Sequence, residues 1–282
     1  MTLLLALLFA GCGGSLQKTA TDYAARGAWD EGIEFFRNKF NGRQSLAIKH
    51  FYIHRHVLQF YHKQGKLQDG LAFYQKFKDK ALVAYITGVY YYFQMMYDKA
   101  LASLEEAVAL RPGEFIIHYD LALVQRGLRQ FGAARRSLAR CLRLNSSYGP
   151  AYYEMGMHYA FHPTEASIGS AFFKQALSHY GDFGADALDV KISLGMVHVH
   201  ENRIGDAVSV WEDVAAADFM KLVRSVDLGD LYWKQDKKDK ARDFWKRAVG
   251  ALGHNSLRGR YFFYRLHTAD QPGADFSGLA YS

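Results

Sequence analysis

The sequence predicts an all-α solenoid of stacked helical hairpins, and three observations carry that prediction. First, "SLGMVHVHENRIGDAVSVWEDV" aligns without a gap on "DLGDLYWKQDKKDKARDFWKRA" 34 residues later, pairing Leu194-Gly195 with Leu228-Gly229, Ala207 with Ala241 and Trp211 with Trp245. A fixed period of this length marks a repeat built from one supersecondary unit. Second, there are only four prolines in 282 residues, which favours long uninterrupted helices, because proline inside a helix costs about 3 kcal/mol. Third, half of the residues are apolar and 22% are charged, so a large core can be buried and disorder is disfavoured.

The same slots recur along the chain. Residues 81–114 carry Gly88, Tyr91, Tyr97, Ala100, Leu104, Ala107 and Pro112, and 115–148 carry Leu121, Ala122, Phe131, Ala134, Leu138 and Cys141. Residues 149–183 follow with Met155, Gly156, Tyr159, Gly169, Phe173 and Ala176, with one residue inserted near Pro163; 188–221 and 222–255 are the aligned pair. Upstream, 47–80 keeps Leu58, Tyr61, Gly65, Gly70, Tyr74 and Phe77, and 13–46 keeps Tyr23, Gly27, Trp29, Gly32 and Phe36. Small residues at the crossing let the two helices of a hairpin approach, and large aromatics fill the space between hairpins. No unit buries its apolar face alone, so stacking supplies the stability. Residues 256–268 read as one more helix that caps the exposed end, and 269–282 read as an irregular tail.

This pattern resembles the tetratricopeptide (TPR) family. The resemblance implies a right-handed superhelix of about seven hairpins plus a capping helix, over residues 18–268. It also implies that the first helix of each hairpin lines a concave surface that binds a partner. The implied contact residues are Tyr85, Tyr92 and Phe93 from one unit, Tyr119 and Arg126 from the next, then Tyr153, Met157 and Phe161, then Met196 and His200, and Trp233 from the last. The face is aromatic and apolar, and it lacks the Lys, Asn and Arg set with which some TPR proteins clamp an acidic C-terminus. Upstream, Tyr52, Arg55, Gln59, His62 and Lys63 make its beginning polar and basic.

The N-terminus is an address. Leu3 to Ala10 is too short to span a bilayer but has the length of a signal-peptide core. Leu8-Phe9-Ala10-Gly11-Cys12 resembles the lipobox of bacterial lipoproteins. That resemblance implies removal of residues 1–11, acylation of Cys12, and a tether over 12–17. Gly13 after the cysteine then implies the outer membrane, facing the periplasm. After acylation Cys141 is the only free cysteine, so no intramolecular disulfide can form.

Chemistry is sparse by comparison. There are twelve histidines, but His198 and His200, like His54 and His56, lie two apart and point about 200° from one another on a helix. His158 and His162 have helical spacing, but Pro163 follows and no glutamate completes a zinc-protease motif. Packing or solvated histidines are therefore expected, with no metal and no cofactor. Cys141 occupies the small slot held elsewhere by Ala107, Ala176 and Ala248, which reads as a buried thiol. Phosphate loops, nucleophile elbows and CxxC pairs are absent, so no catalytic residue is expected and the chain reads as non-enzymatic. The formal charge of +7 is scattered in both signs, unlike a nucleic-acid footprint.

The expected function is thus a lipid-anchored adaptor or assembly factor that binds another envelope protein or peptide segment through the aromatic groove. By layout it resembles the TPR lipoproteins that assemble the secretin of type IV pilus systems. A periplasmic carrier of a small ligand or lipid working with a transporter, or a scaffold for peptidoglycan-active enzymes, would use the same architecture. The sequence leaves the oligomeric state open.

Overall fold

The computed structural model describes residues 19–20, 22–24, 26–40, 51–160, 164–180 and 185–270. The signal segment, Cys12 with its tether, Phe161 and the tail from 271 onward lie outside the described residues. The chain divides into two compact units, Met1–Ser146 and Ser147–Ser282.

The described part of the first unit contains α1 (Trp29–Phe40), α2 (Phe51–Lys63), α3 (Leu67–Tyr74), α4 (Lys80–Phe93), α5 (Tyr97–Leu110), α6 (Phe115–Gly127) and α7 (Phe131–Leu144). Helical residues before Gly27 precede α1. Consecutive helices pack as antiparallel neighbours, α2 on α3, α4 on α5 and α6 on α7, and successive hairpins stack through α2–α4, α3–α4 and α5–α6 contacts.

The second unit contains α8 (Gly149–Tyr159), α9 (Ala166–Tyr180), α10 (Ala185–His200), α11 (Ile204–Ala217), α12 (Phe219–Ser225), α13 (Leu228–Lys234), α14 (Lys238–Leu252) and α15 (Leu257–Thr268). Here the pairs are α8–α9, α10–α11 and α13–α14, with α15 laid against α14.

The repeat is visible in the backbone itself. Among the described residues, six turns from a first to a second helix contain one residue with left-handed φ: Gly27 (64°), where the Ala28 amide reaches the Tyr23 carbonyl at 3.0 Å, Gly65 (67°), Met95 (58°), Arg129 (60°), Asn202 (58°) and Asp236 (58°). Met95 and Arg129 are 34 residues apart, as are Asn202 and Asp236. The next amide always reaches back five residues: Lys66 to the Tyr61 carbonyl at 2.8 Å, Met96 to Tyr91 at 3.0 Å, Gln130 to Gln125 at 2.8 Å, Arg203 to His198 at 2.7 Å and Lys237 to Tyr232 at 2.9 Å. This six-to-one bond is the Schellman closure of a helix C-terminus. Two of these six turns use glycine, so the other four carry the left-handed penalty of roughly 1 kcal/mol each.

Close approach within hairpins rests on the small residues that the period picks out. A methyl group at Gly195 would overlap the Trp211 indole nitrogen, and one at Gly229 would overlap that of Trp245. Neither ring has room to move: both are fully buried, and Trp211 donates its indole N–H to the Ile192 carbonyl at 3.2 Å. Gly195→Ala and Gly229→Ala are therefore expected to destabilise the second unit by about 1–3 kcal/mol each, although alanine is intrinsically the better helix former. Denaturant unfolding followed by tryptophan fluorescence measures this; unchanged midpoints would show that the crossing accommodates a methyl group.

The last hairpin departs from expectation. Its first helix is interrupted: Val226 is extended (φ −141°, ψ 168°), ending α12, and Asp227 starts α13 by accepting the Asp230 amide at 3.1 Å. A short acidic side chain competes with the helix for its own backbone, and Asp227 is held in that role by partners from elsewhere in the unit.

Candidate partner-binding faces

In the first unit the predicted contact residues separate into two groups. Tyr85 is fully buried and Tyr119 is 7% exposed, so both belong to the packing between helices. The Tyr85 hydroxyl donates to Asp120 Oδ2 at 2.7 Å, and Arg55 Nε donates to Asp120 Oδ1 at 2.8 Å. The Arg55 guanidinium also lies 5.6 Å from the Tyr119 ring centre. One buried carboxylate thereby joins three successive first helices, α2, α4 and α6. Burial, and then the Asp120 charge, hold the Tyr85 hydroxyl well above the ordinary tyrosine range.

Tyr92, Phe93 and Arg126 remain half-exposed. Phe93 stacks on His62 with centroids 4.7 Å apart and planes 5° from parallel, and Tyr92 lies 5.8 Å from Phe93 and 6.2 Å from Tyr97. Tyr52 meets His56 edge-on at 4.9 Å and Phe115 at 6.1 Å. The accessible first-helix faces of this unit therefore show aromatic edges, with His62 stacked on Phe93 and Arg126 half-exposed near the end of α6. Beneath them the His56 Nε2 is buried without a hydrogen-bond partner. Burial, reinforced by the neighbouring Arg55 charge, lowers its pKa to about 4.

In the second unit, Tyr153 is half-buried, with its hydroxyl 3.3 Å from Ser193 Oγ and its ring 5.7 Å from Phe173. Met157 and Met196 are half-buried against the core, and His200 is exposed at the end of α10. Trp233 lies 5.7 Å from Trp245, with Lys238 Nζ 5.4 Å and the Arg242 guanidinium 5.5 Å from its ring. His198 fills an inward slot at 3% exposure. Burial and then the Arg203 charge lower its pKa, while Glu201 Oε2 lies 3.8 Å from its Nδ1.

The strongest polar arrangement in this unit was not signalled by any motif. Asp227 and Arg265 are each 1% exposed. Asp227 accepts from the Trp245 indole at 3.0 Å and from the Tyr261 hydroxyl at 2.9 Å. Arg265 donates to Asp230 at 2.7 Å and covers the Trp245 ring at 4.8 Å. Burial raises the Asp227 pKa despite these donors and the Arg265 charge. The cluster ties the capping helix α15 to the broken first helix.

Among the described residues no three His, Cys, Asp or Glu side chains gather as a metal site. No described helix is long and apolar enough to cross a membrane. The Cys141 thiol is buried, and burial pushes its pKa up to about 12.

No family model matches the sequence, and no curated protein matches it. Solved structures do. A structure of MamA from Desulfovibrio magneticus RS-1, from residue 41 to the end, superposes with a TM-score of 0.54 at 13% identity, covering 61% of this chain and 95% of that one. Another MamA structure gives 0.53 at 16% identity, covering 62% and 93%. YrrB, a TPR protein with an unusual peptide-binding site, gives 0.46 at 18% identity over 64% and 95%. With its helices packed in consecutive pairs, the chain has the all-α fold of these MamA structures.

Proposed function

We propose that the protein is a non-enzymatic adaptor that presents first-helix faces to a segment of another cell-envelope protein. In this reading it is held by acylated Cys12 at the bacterial outer membrane, facing the periplasm, and serves assembly of a secretin or type IV pilus. The observation that supports it is the set of aromatic edges on the first unit. After Tyr85 and Tyr119 are committed to packing, Tyr52, Tyr92 and Phe93 still present ring surface to water. Rigid aromatic side chains are the usual energetic anchors of protein interfaces, and arginine, here Arg126 on α6, is enriched there too. Proteins of this fold are typically scaffolds, which agrees with the absence of catalytic motifs.

A photo-crosslinking residue at Phe93, in the full chain in producing cells, is expected to yield one discrete adduct. The same residue at exposed Glu105 on α5 should yield none. Tyr92→Ser with Phe93→Ser is expected to weaken the partner about thirtyfold, the effect of losing one interface hot spot. Equal adducts from both positions, or none from Phe93, would remove the groove from this reading. Acyl labelling lost in Cys12→Ser tests the anchor separately.

A further inference from the structure

The second helix of the last hairpin in the first unit carries a charge distribution unlike any other segment. Between Asp120 and Glu154 the sequence holds six arginines and no Lys, Asp or Glu. On α7, Arg136, Arg140 and Arg143 are all exposed. Their spacing of four and three residues places them within an arc of about 60°, in a row about 10 Å long. Gly132 and Ala139 share that side, so nothing bulky stands between the guanidinium groups. Among the described residues none of the three has a carboxylate partner. Their field also reaches the buried His118, whose pKa is lowered by burial first and then by Arg140 and Arg143.

Unpaired like charges in a row repel one another, and a helix face built for solubility would interleave both signs, as α14 does with Asp239, Arg242, Asp243 and Lys246. Arginine, unlike lysine, presents a planar fork that binds phosphate oxygens in pairs. We infer that the Arg136–Arg140–Arg143 row is a second docking surface, distinct from the first-helix faces, and that its occupant is the anionic phosphate-headgroup surface of a bilayer. The choice of a bilayer rests on the anchored reading. Acylation at Cys12 would hold the domain within a short tether of a membrane, where a basic patch acts as the second of two membrane signals.

The test uses the full chain carrying Cys12→Ser, so that any vesicle binding comes from the protein surface. It should sediment with mixed phosphatidylglycerol and phosphatidylcholine vesicles, not with phosphatidylcholine alone, and should be released in about 0.5 M salt. Arg136→Gln/Arg140→Gln/Arg143→Gln is expected to lower the partition about a hundredfold, at about fivefold per residue. Its helical circular dichroism and its Phe93 crosslink should be unchanged. Lys237→Gln/Lys246→Gln/Arg260→Gln removes equal charge from the second unit and should have little effect. Absence of binding to anionic vesicles overturns the proposal, as does equal loss in both triple variants. So does a row that discriminates only for an acidic peptide, an RNA oligomer or a second copy of the chain. Failure of acyl labelling at Cys12 with vesicle binding intact would remove the anchor and leave the patch.

Discussion

Arg265→Met is expected to destabilise the second unit by about 3–5 kcal/mol, the usual cost of removing one partner from a buried charge pair. The loss has two sources. Methionine keeps much of the aliphatic stem but gives up the guanidinium over Trp245, 4.8 Å from its ring. More importantly, Asp227 is left 1% exposed without its cationic neighbour. The Asp227 pKa is already raised by burial, and the substitution raises it further. An acid whose folded pKa lies above its unfolded value contributes stability that is present below the unfolded pKa and lost as pH rises through the folded one. The deficit of the variant should therefore be largest at neutral pH and shrink toward pH 4. Adding Asp227→Asn should recover more than half of it, because the uncompensated charge is then gone. Tryptophan fluorescence during denaturant unfolding follows this well, since Trp211, Trp233 and Trp245 all lie in this unit. A single variant whose deficit is below about 1 kcal/mol at neutral pH would show that the pair is not a structural tie.

Acid should weaken the first unit through His56. Its folded pKa of about 4 against 6.5 when unfolded corresponds to up to about 3 kcal/mol. The sign follows from the depression. The contribution is complete above 6.5 and is lost as pH falls through 4, since the unfolded chain takes up the proton first. His56→Phe keeps a ring against Tyr52 and removes the titration, so the variant should lose much less stability between pH 7 and 4. His118 and His198, also lowered by burial, leave a residual slope. Amide hydrogen exchange in α2, α4 and α6 reads the effect locally. Parallel pH profiles in wild type and variant would show that His56 is hydrated.

The fold was legible where one residue sufficed to define a slot. Gly195 and Gly229 face Trp211 and Trp245 in the structure, as the alignment of those four positions requires. The turns were harder to read, since Met95, Arg129, Asn202 and Asp236 adopt a glycine-like conformation without being glycine. The period sets their 34-residue spacing, and residue type gives no sign of the conformation. Arg55 and Asp120 lie 65 residues apart, and no pattern confined to one repeat exposes such a pair. Tyr85 and Tyr119 occupy positions that line the concave side in a generic hairpin. Here the Asp120 carboxylate draws the Tyr85 hydroxyl inward, and Tyr119 lies buried beside Arg55. The break at Val226–Asp227 was hidden because Asp227 precedes a Leu-Gly pair in good register. Its role as a cap depends on Tyr261, which is 34 residues away.

That long reach from the capping helix bears on how such an array can change length. Tyr261 and Arg265 are matched to Asp227 and Asp230 on the hairpin they close. A duplicated hairpin inserted ahead of residue 219 would carry its own crossing glycine and Schellman turn and leave this lock untouched. One inserted between α14 and α15 would part Asp227 from Tyr261 and Arg265, leaving it the Trp245 indole, and would leave Asp230 with Lys234 alone, unless the newcomer brought an aspartate to the same place. Growth and shortening of this chain, in evolution or in the laboratory, are therefore confined to its upstream repeats, with residues 219–268 passed on as a single indivisible terminus.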